Sequence, residues 1–215
     1  MPFPIIISAP SGAGKTTLTH RLLARRPDVG YSVSATTRAP RAGESDGVSY
    51  HFLSIGEFEA AVARGEFAEY ARVHGNMYGT LRREVRRVLE SGRHVVMDID
   101  VQGAAQFAAA FPDAVRVFVL PPSGRALIAR LRGRKTEGDA AIATRLRDAI
   151  NELDAIREFD YVVVNDDIDR AVEQLSCIID AESLRRVRAP AAAEVAREIV
   201  ATIASALDAI PTEVS

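Results

Sequence analysis

The sequence predicts an α/β fold, a mostly parallel sheet flanked by helices, with a small mixed α+β insertion. Three observations predict it. The apolar runs Ile5–Ile7, His94–Met97, Val115–Leu120 and Tyr161–Val164 have the length of buried strands. Stretches of helical periodicity follow them, the order in which parallel strands are joined by crossover helices. Residues 34–80 break that rhythm with polar turns, one alternating stretch and one helix.

The first strand feeds Ser8-Ala9-Pro10-Ser11-Gly12-Ala13-Gly14-Lys15-Thr16-Thr17, which reads as a phosphate-binding loop between a strand and a helix. Glycines let successive backbone N–H groups converge on phosphate oxygens, and the helix N-terminus adds its unpaired donors. Lys15 brings a cation to the β/γ-phosphates and Thr16 a hydroxyl to Mg²⁺. Ala9 stands where the first glycine of the pattern usually does, the smallest possible replacement. Leu18, Leu22 and Leu23 give the following helix its apolar face, and Pro27 closes it.

In the insertion, Ser34–Gly47 is polar and turn-rich, and Val48–Phe52 alternates as a strand does. Ser54 and Glu57 form a capping-box pattern that opens a helix ending near Gly65. Phe67–Thr80 is a second mixed stretch. Leu81, Val85, Val88 and Leu89 mark a helix stopped by Gly92. Further on, helices are expected over Val101–Phe111, after Ser123, from about Ala140 to Glu158, and from about Ile168. Between them lies a short basic loop, Gly133–Asp139. Val195, Ile199, Ile203 and Leu207 give the tail helical spacing, an extra helix expected to pack on the domain or on a partner. Ligands of such sheets bind outside the carboxyl ends of the strands, where Ser8, Asp98 and Asn165 stand.

The chain has 215 residues, 47% apolar, enough for one domain with a real core and a small subdomain. A net charge of −2 argues against general nucleic-acid binding, so phosphate recognition must use locally concentrated basic residues. Cys177 is the single cysteine, which excludes an internal disulfide and a multi-cysteine metal site, and is expected to act as a small hydrophobe on a late helix. His20, His51, His74 and His94 show no metal-ligand spacing. No signal peptide and no stretch of membrane-spanning length is seen, so a cytoplasmic setting without a membrane partner is expected. The sequence sets no oligomeric state.

Three further groups carry chemistry. Arg38 and Arg41 flank Pro40 in a loop, and the rigid guanidinium fork suits bidentate capture of phosphate, with Tyr50 and Tyr78 as phenolic donors; a solvated basic turn is the alternative. Asp98 ends an apolar strand beside the phosphate loop, which suggests Mg²⁺ or its waters; Asp100, two residues on, projects to the same side in an extended chain and can cap the next helix. Arg130 and Arg134, four apart, are expected on one helix face beside the basic loop, with Arg145 on the next helix.

Taken in order, Ala9–Thr16, Ser34–Glu44, Gly47–Tyr50, Gly65–Tyr70, Gly75–Thr80, Asp98–Gly103 and Val164–Asp167 resemble the guanylate kinases over roughly residues 3 to 185. Met77 departs from the tyrosine often found there. The resemblance implies a nucleoside-monophosphate-kinase-like fold: a core of residues 1–33 and 81–185 with a lid at about 133–144, a GMP-binding subdomain at 34–80, and a helical extension at 186–215. It implies transfer of the γ-phosphoryl of ATP to GMP, and more weakly to dGMP, with Mg²⁺. Ser11, Gly12, Ala13, Gly14, Lys15, Thr16 and Thr17 would bind ATP together with Arg130, Arg134 and Asn165, the last at the adenine. Arg38, Arg41, Tyr50 and Tyr78 would hold the GMP phosphate. Ser34, Glu69 and Thr80 would read guanine, with Asp100 facing the acceptor. Lys15, Arg38, Asp98, Arg134 and Arg145 would be catalytic, and Thr16 and Asp98 would meet the metal. Two other readings remain open: a non-catalytic scaffold module of the same fold that binds phosphorylated peptides, and a kinase of another small phosphorylated acceptor.

Overall fold

The computed structural model describes residues 1–73, 75–133 and 139–208. In chain order its elements are β1 (Pro4–Ser8), α1 (Lys15–Arg25), β2 (Val29–Tyr31), β3 (Ala35–Thr36), β4 (His51–Phe52), α2 (Ile55–Ala63), β5 (Phe67–Val73), β6 (Asn76–Leu81) and α3 (Arg82–Glu90). They continue as β7 (His94–Asp98), α4 (Val101–Ala110), β8 (Val115–Leu120), α5 (Gly124–Arg132), α6 (Asp139–Asp154), β9 (Tyr161–Val164), α7 (Ile168–Ser183) and α8 (Pro190–Asp208).

Residues Pro2–Ser176 form one unit that carries two sheets. The first is parallel, in the order β2-β7-β1-β8-β9. Ile6, Val95 and Met97 pack on Val85 and Val88 of α3 and on Ala104 and Phe107 of α4. Ile5 and Ile7 alternate with Ile6 and are equally buried, so the other face is covered too. Register places Ile7 beside Asp98, and Leu120 beside Val164, which brings the phosphate loop, Asp98 and Asn165 to one end of the sheet.

The second sheet has the order β4-β3-β6-β5 and mixes one parallel pair with two antiparallel ones. Its own small core joins Phe58 and Ala61 of α2 to Ala35, Phe67 and Leu81. Phe58 and Phe67 stack with ring centroids 4.3 Å apart. The expected capping box is present: Ser54 Oγ accepts from the Glu57 N–H, and Glu57 accepts from the Ser54 N–H.

Three local expectations are corrected. Of Val48–Phe52 only His51–Phe52 is strand; Val48 is exposed in a turn closed by Gly47 N–H to Tyr50 C=O. The mixed stretch Phe67–Thr80 is a β-hairpin, β5 with β6. A bulge between Phe67 and Glu69 hides it in the sequence, because Phe67, Ala68 and Glu69 are all buried and period-two alternation is lost. The long helix ends at Asp154 and continues as a 3₁₀ turn, Ala155–Glu158. The short strand β2 carried no alternation to detect.

The second unit comprises Met1 and the chain from Cys177 onward. Buried Arg188 pairs there with Glu182, and the Met1 amino group donates to the Arg188 carbonyl at 2.7 Å. Cys177 is exposed, not a buried hydrophobe. On α8, Val195, Ile199 and Ile203 are exposed.

Candidate active site

The phosphate loop turns through two left-handed glycines, Gly12 at φ +90° and Gly14 at φ +97°. A Cβ at Gly14 would lie 2.6 Å from Asn165 Nδ2, so geometry and space both require glycine. Gly14 leads into α1 without a side-chain cap and without an acid in the first turn, which leaves that helix end to an anion. Ala9 is buried, 3% exposed.

Lys15 Nζ donates to the Ile99 carbonyl at 2.9 Å. Burial lowers its pKa, opposed by the carboxylates of Asp98, Asp100, Glu152 and Glu69. Thr16 Oγ1 donates to Asp98 Oδ2 at 2.9 Å, and Tyr31 Oη donates to Asp98 Oδ1 at 2.8 Å. The pair Thr16 and Asp98, read from the sequence, thus stands together.

The loop is held from two helices. Asn165 Nδ2 and Arg130 Nη1 both donate to the Ala13 carbonyl, at 2.7 and 3.1 Å. Arg130 Nη2 donates to the Asn165 carbonyl at 3.1 Å. On α6, Arg145 Nε donates to Ser11 Oγ at 3.2 Å and Glu152 accepts from the Ser11 N–H at 3.0 Å. Thr17 is exposed at the loop's mouth. Helix α5 ends at Arg132; Arg134, expected on one helix face with Arg130, lies outside the described residues, as does most of the expected lid loop.

A second cavity, about 580 Å³, opens between the sheets. Ser34, Tyr50, Glu69, Tyr78 and Asp100 line it. Glu69 and Thr80 are register partners on the hairpin, and Thr80 Oγ1 donates to Glu69 Oε1 at 2.6 Å. Glu69 is 6% exposed; burial pushes its carboxyl up to about 7, Asp100 adding to the rise while Thr80 and Lys15 oppose it. Asp100 caps α4, accepting from the Gly103 N–H at 2.7 Å, and also lines the cavity.

Tyr50 and Tyr78 meet edge to face, ring centroids 6.1 Å apart. Arg38 lies over the Tyr50 ring and pairs with Glu44 Oε1 at 2.8 Å, while the Arg41 N–H donates to Glu44 Oε2 at 2.7 Å. Arg41 itself is exposed. The two arginines therefore share one carboxylate at the rim.

A further cavity of about 710 Å³ lies along the phosphate loop toward Arg145 and Glu152. Lys15, Thr16 and Asp100 line both cavities. Two chambers joined at a lysine, a hydroxyl and a carboxylate can present two phosphorylated ligands to one another.

The guanylate kinase family model matches residues 1–182. The chain belongs to the guanylate kinase family. The chain is similar to the guanylate kinase of Maricaulis maris, 52% identical over 187 residues and covering 86% of each chain. It is 48% identical over 186 residues to the guanylate kinase of Chromohalobacter salexigens, again covering 86% of each. Among solved structures it resembles the crystal structure of guanylate kinase from Anaplasma phagocytophilum with a TM-score of 0.70 and 32% identity, covering 87% of this chain and 89% of that one.

Two residues of this guanylate kinase site escaped the sequence reading. Tyr31 lies in a strand too short to stand out. Glu152 sits seven residues after Arg145 on α6, a same-face spacing that was the available signal. Among the described residues no group of three or more His, Cys, Asp and Glu is arranged to hold a metal, and no helix is long and apolar enough to cross a membrane.

Proposed function

We propose that the chain transfers the γ-phosphoryl of ATP to GMP, giving ADP and GDP, with dGMP as a poorer acceptor. The observation that carries this reading is the pair of cavities sharing Lys15, Thr16 and Asp100. ATP occupies the chamber along the phosphate loop and GMP the one beside Glu69. The GMP phosphate oxygen attacks the γ-phosphorus in line, and no covalent enzyme intermediate is needed. Catalysis is then positioning plus stabilisation of charge on the transferred group.

In this reading the N–H groups of Gly12 to Thr16 cradle the donor phosphates, with Lys15 leaving the Ile99 carbonyl to meet them. Asn165 and Arg130 brace the loop from the adenine side. Arg145 and Arg134 supply positive charge to the transferred phosphoryl and its bridging oxygen. Arg38, Arg41, Tyr50 and Tyr78 take the GMP phosphate, Arg38 exchanging Glu44 for it. Glu69, as a carboxylate, accepts from guanine N1–H and the 2-amino group, while Thr80 and Ser34 complete the edge. Adenine offers neither donor, so AMP would leave a buried carboxylate unpaired. Residues 34–80 and the segment at 133–144 close over the bound nucleotides and exclude water.

The donors at Thr16 and Asp98 fit magnesium: both are hard oxygens, and their present hydrogen bond puts them within reach of one cation. Mg²⁺ usually keeps waters and substrate phosphates as ligands, so two protein groups suffice. When bound, it would neutralise charge on the β- and γ-phosphate oxygens. A coupled ADP-release assay with GMP, AMP, CMP and UMP tests the proposal. Turnover confined to GMP and dGMP is expected; comparable turnover with AMP refutes the role given to Glu69.

A further inference from the structure

We propose that Glu152 is a positioning residue that docks α6 onto the phosphate loop and thereby sets Arg145 over the donor chamber. The proposal rests on the reading of Arg145 as a group that stabilises transferred charge.

Ser11 is the shared anchor. Its N–H donates to Glu152 Oε2 at 3.0 Å and its Oγ accepts from Arg145 Nε at 3.2 Å. Residues 145 and 152 are seven apart on α6, two turns along one face, so a single loop residue is gripped at both ends by one helix. A second grip on α6 is of another kind. Leu146 and Ala149 pack against Leu127 and Leu131 of α5. Apolar contact is non-directional and lets a helix slide or roll by a fraction of a side chain. A hydrogen bond to a backbone N–H does not, because its geometry is narrow.

Packing alone gives no reason for a carboxylate here. Glu152 is half-buried, and removing a carboxylate from water costs free energy unless a donor compensates. The donor is the Ser11 amide. Glu152 takes the Ser11 N–H, one residue ahead of Gly12, and so leaves the Gly12–Thr16 amides to phosphate. Displacement of a reacting group by about 1 Å can cost on the order of 100-fold in rate, so a clasp at this point has leverage on the chemistry.

The test is steady-state kinetics on Glu152→Ala, Glu152→Gln, Arg145→Ala and the double variant Glu152→Ala/Arg145→Ala. Glu152→Ala is expected to lower kcat by about ten-fold, with KM for GMP within about two-fold, since the acceptor site is untouched. Glu152→Gln keeps an acceptor for the Ser11 N–H and is expected to retain kcat within about three-fold. The double variant is expected to match Arg145→Ala, because Glu152 acts through Arg145. Three results overturn the proposal: wild-type kcat in Glu152→Ala, an equal loss in Glu152→Gln, or multiplied losses in the double variant. Wild-type kcat in Arg145→Ala sinks the reading of Arg145 itself, and the proposal with it. If Glu152→Ala does not fold, Glu152→Asp, one methylene too short to reach Ser11, takes its place in every comparison.

Discussion

Glu69 Oε2 lies where a methyl group on Gly103 would come within 2.9 Å of it. The first turn of α4 thus sets the wall against which the buried carboxylate rests, and Asp100, which caps that turn, stands 3.4 Å from the same point. Gly103→Ala improves helix propensity by about 1 kcal/mol but overpacks the site by a similar amount or more. KM for GMP is expected to rise about ten-fold, with kcat changed by less than about three-fold. An unchanged KM would mean that Glu69 does not need its present position.

The raised pKa of Glu69 makes acceptor binding depend on pH. In the proposed role guanine binds the carboxylate, and that form fills only as pH passes about 7. From pH 6 to pH 8 the ionised fraction grows about ten-fold, so KM for GMP should fall by about that factor. The GMP phosphate also titrates, so the measurement compares the wild type with Glu69→Gln, whose profile should lose this component. Asp100 and Lys15 face the same carboxylate and shift its midpoint in opposite directions.

Stability follows with the reverse sign. The folded pKa exceeds the unfolded one, so the neutral acid is favoured in the folded state. Stability from this group is complete below the unfolded pKa, declines as pH rises, and levels off above about 7. The loss amounts to roughly 3 kcal/mol across that window. Denaturant melts of wild type and Glu69→Gln between pH 5 and 8 measure it. Parallel curves for the two proteins would assign the effect elsewhere.

Lys15→Met should reduce phosphoryl transfer by at least about 100-fold. Without nucleotide its melting temperature should stay level or rise, because burial disfavours the lysine charge that methionine lacks. Retained activity would remove the phosphate loop from the mechanism.

Tyr31→Phe deletes the hydroxyl that orients Asp98. One hydrogen bond is worth about 1 kcal/mol, so the Mg²⁺ concentration at half-maximal rate should rise about five-fold, with KM for GMP unaltered. Direct Mg²⁺·ATP titration by calorimetry gives the same comparison without turnover.

The parallel sheet and the phosphate loop were readable because each has a strong local cause: unbroken apolar runs, glycines before a lysine, a helix opening at Lys15. Thr16 with Asp98, and Asn165 with the loop, follow once strand ends are aligned. The hairpin was not readable, because the bulge buries Glu69 together with Phe67 and Ala68 and breaks the alternation that marks a strand. Glu152 and Tyr31 stayed hidden for a different reason. Each makes its hydrogen bond to a residue far away in the chain, and only the seven-residue spacing of Arg145 and Glu152 on α6 offered a local sign of it.

Arg38 is already matched by Glu44 before any acceptor arrives. In the proposed role, GMP capture is therefore a partner exchange, one anion replacing another on the same guanidinium. Much of the Coulomb gain expected from a bare arginine is cancelled by the carboxylate that must let go. Added salt weakens the old pair as well as the new one, so acceptor affinity should vary with ionic strength more gently than two rim arginines would suggest.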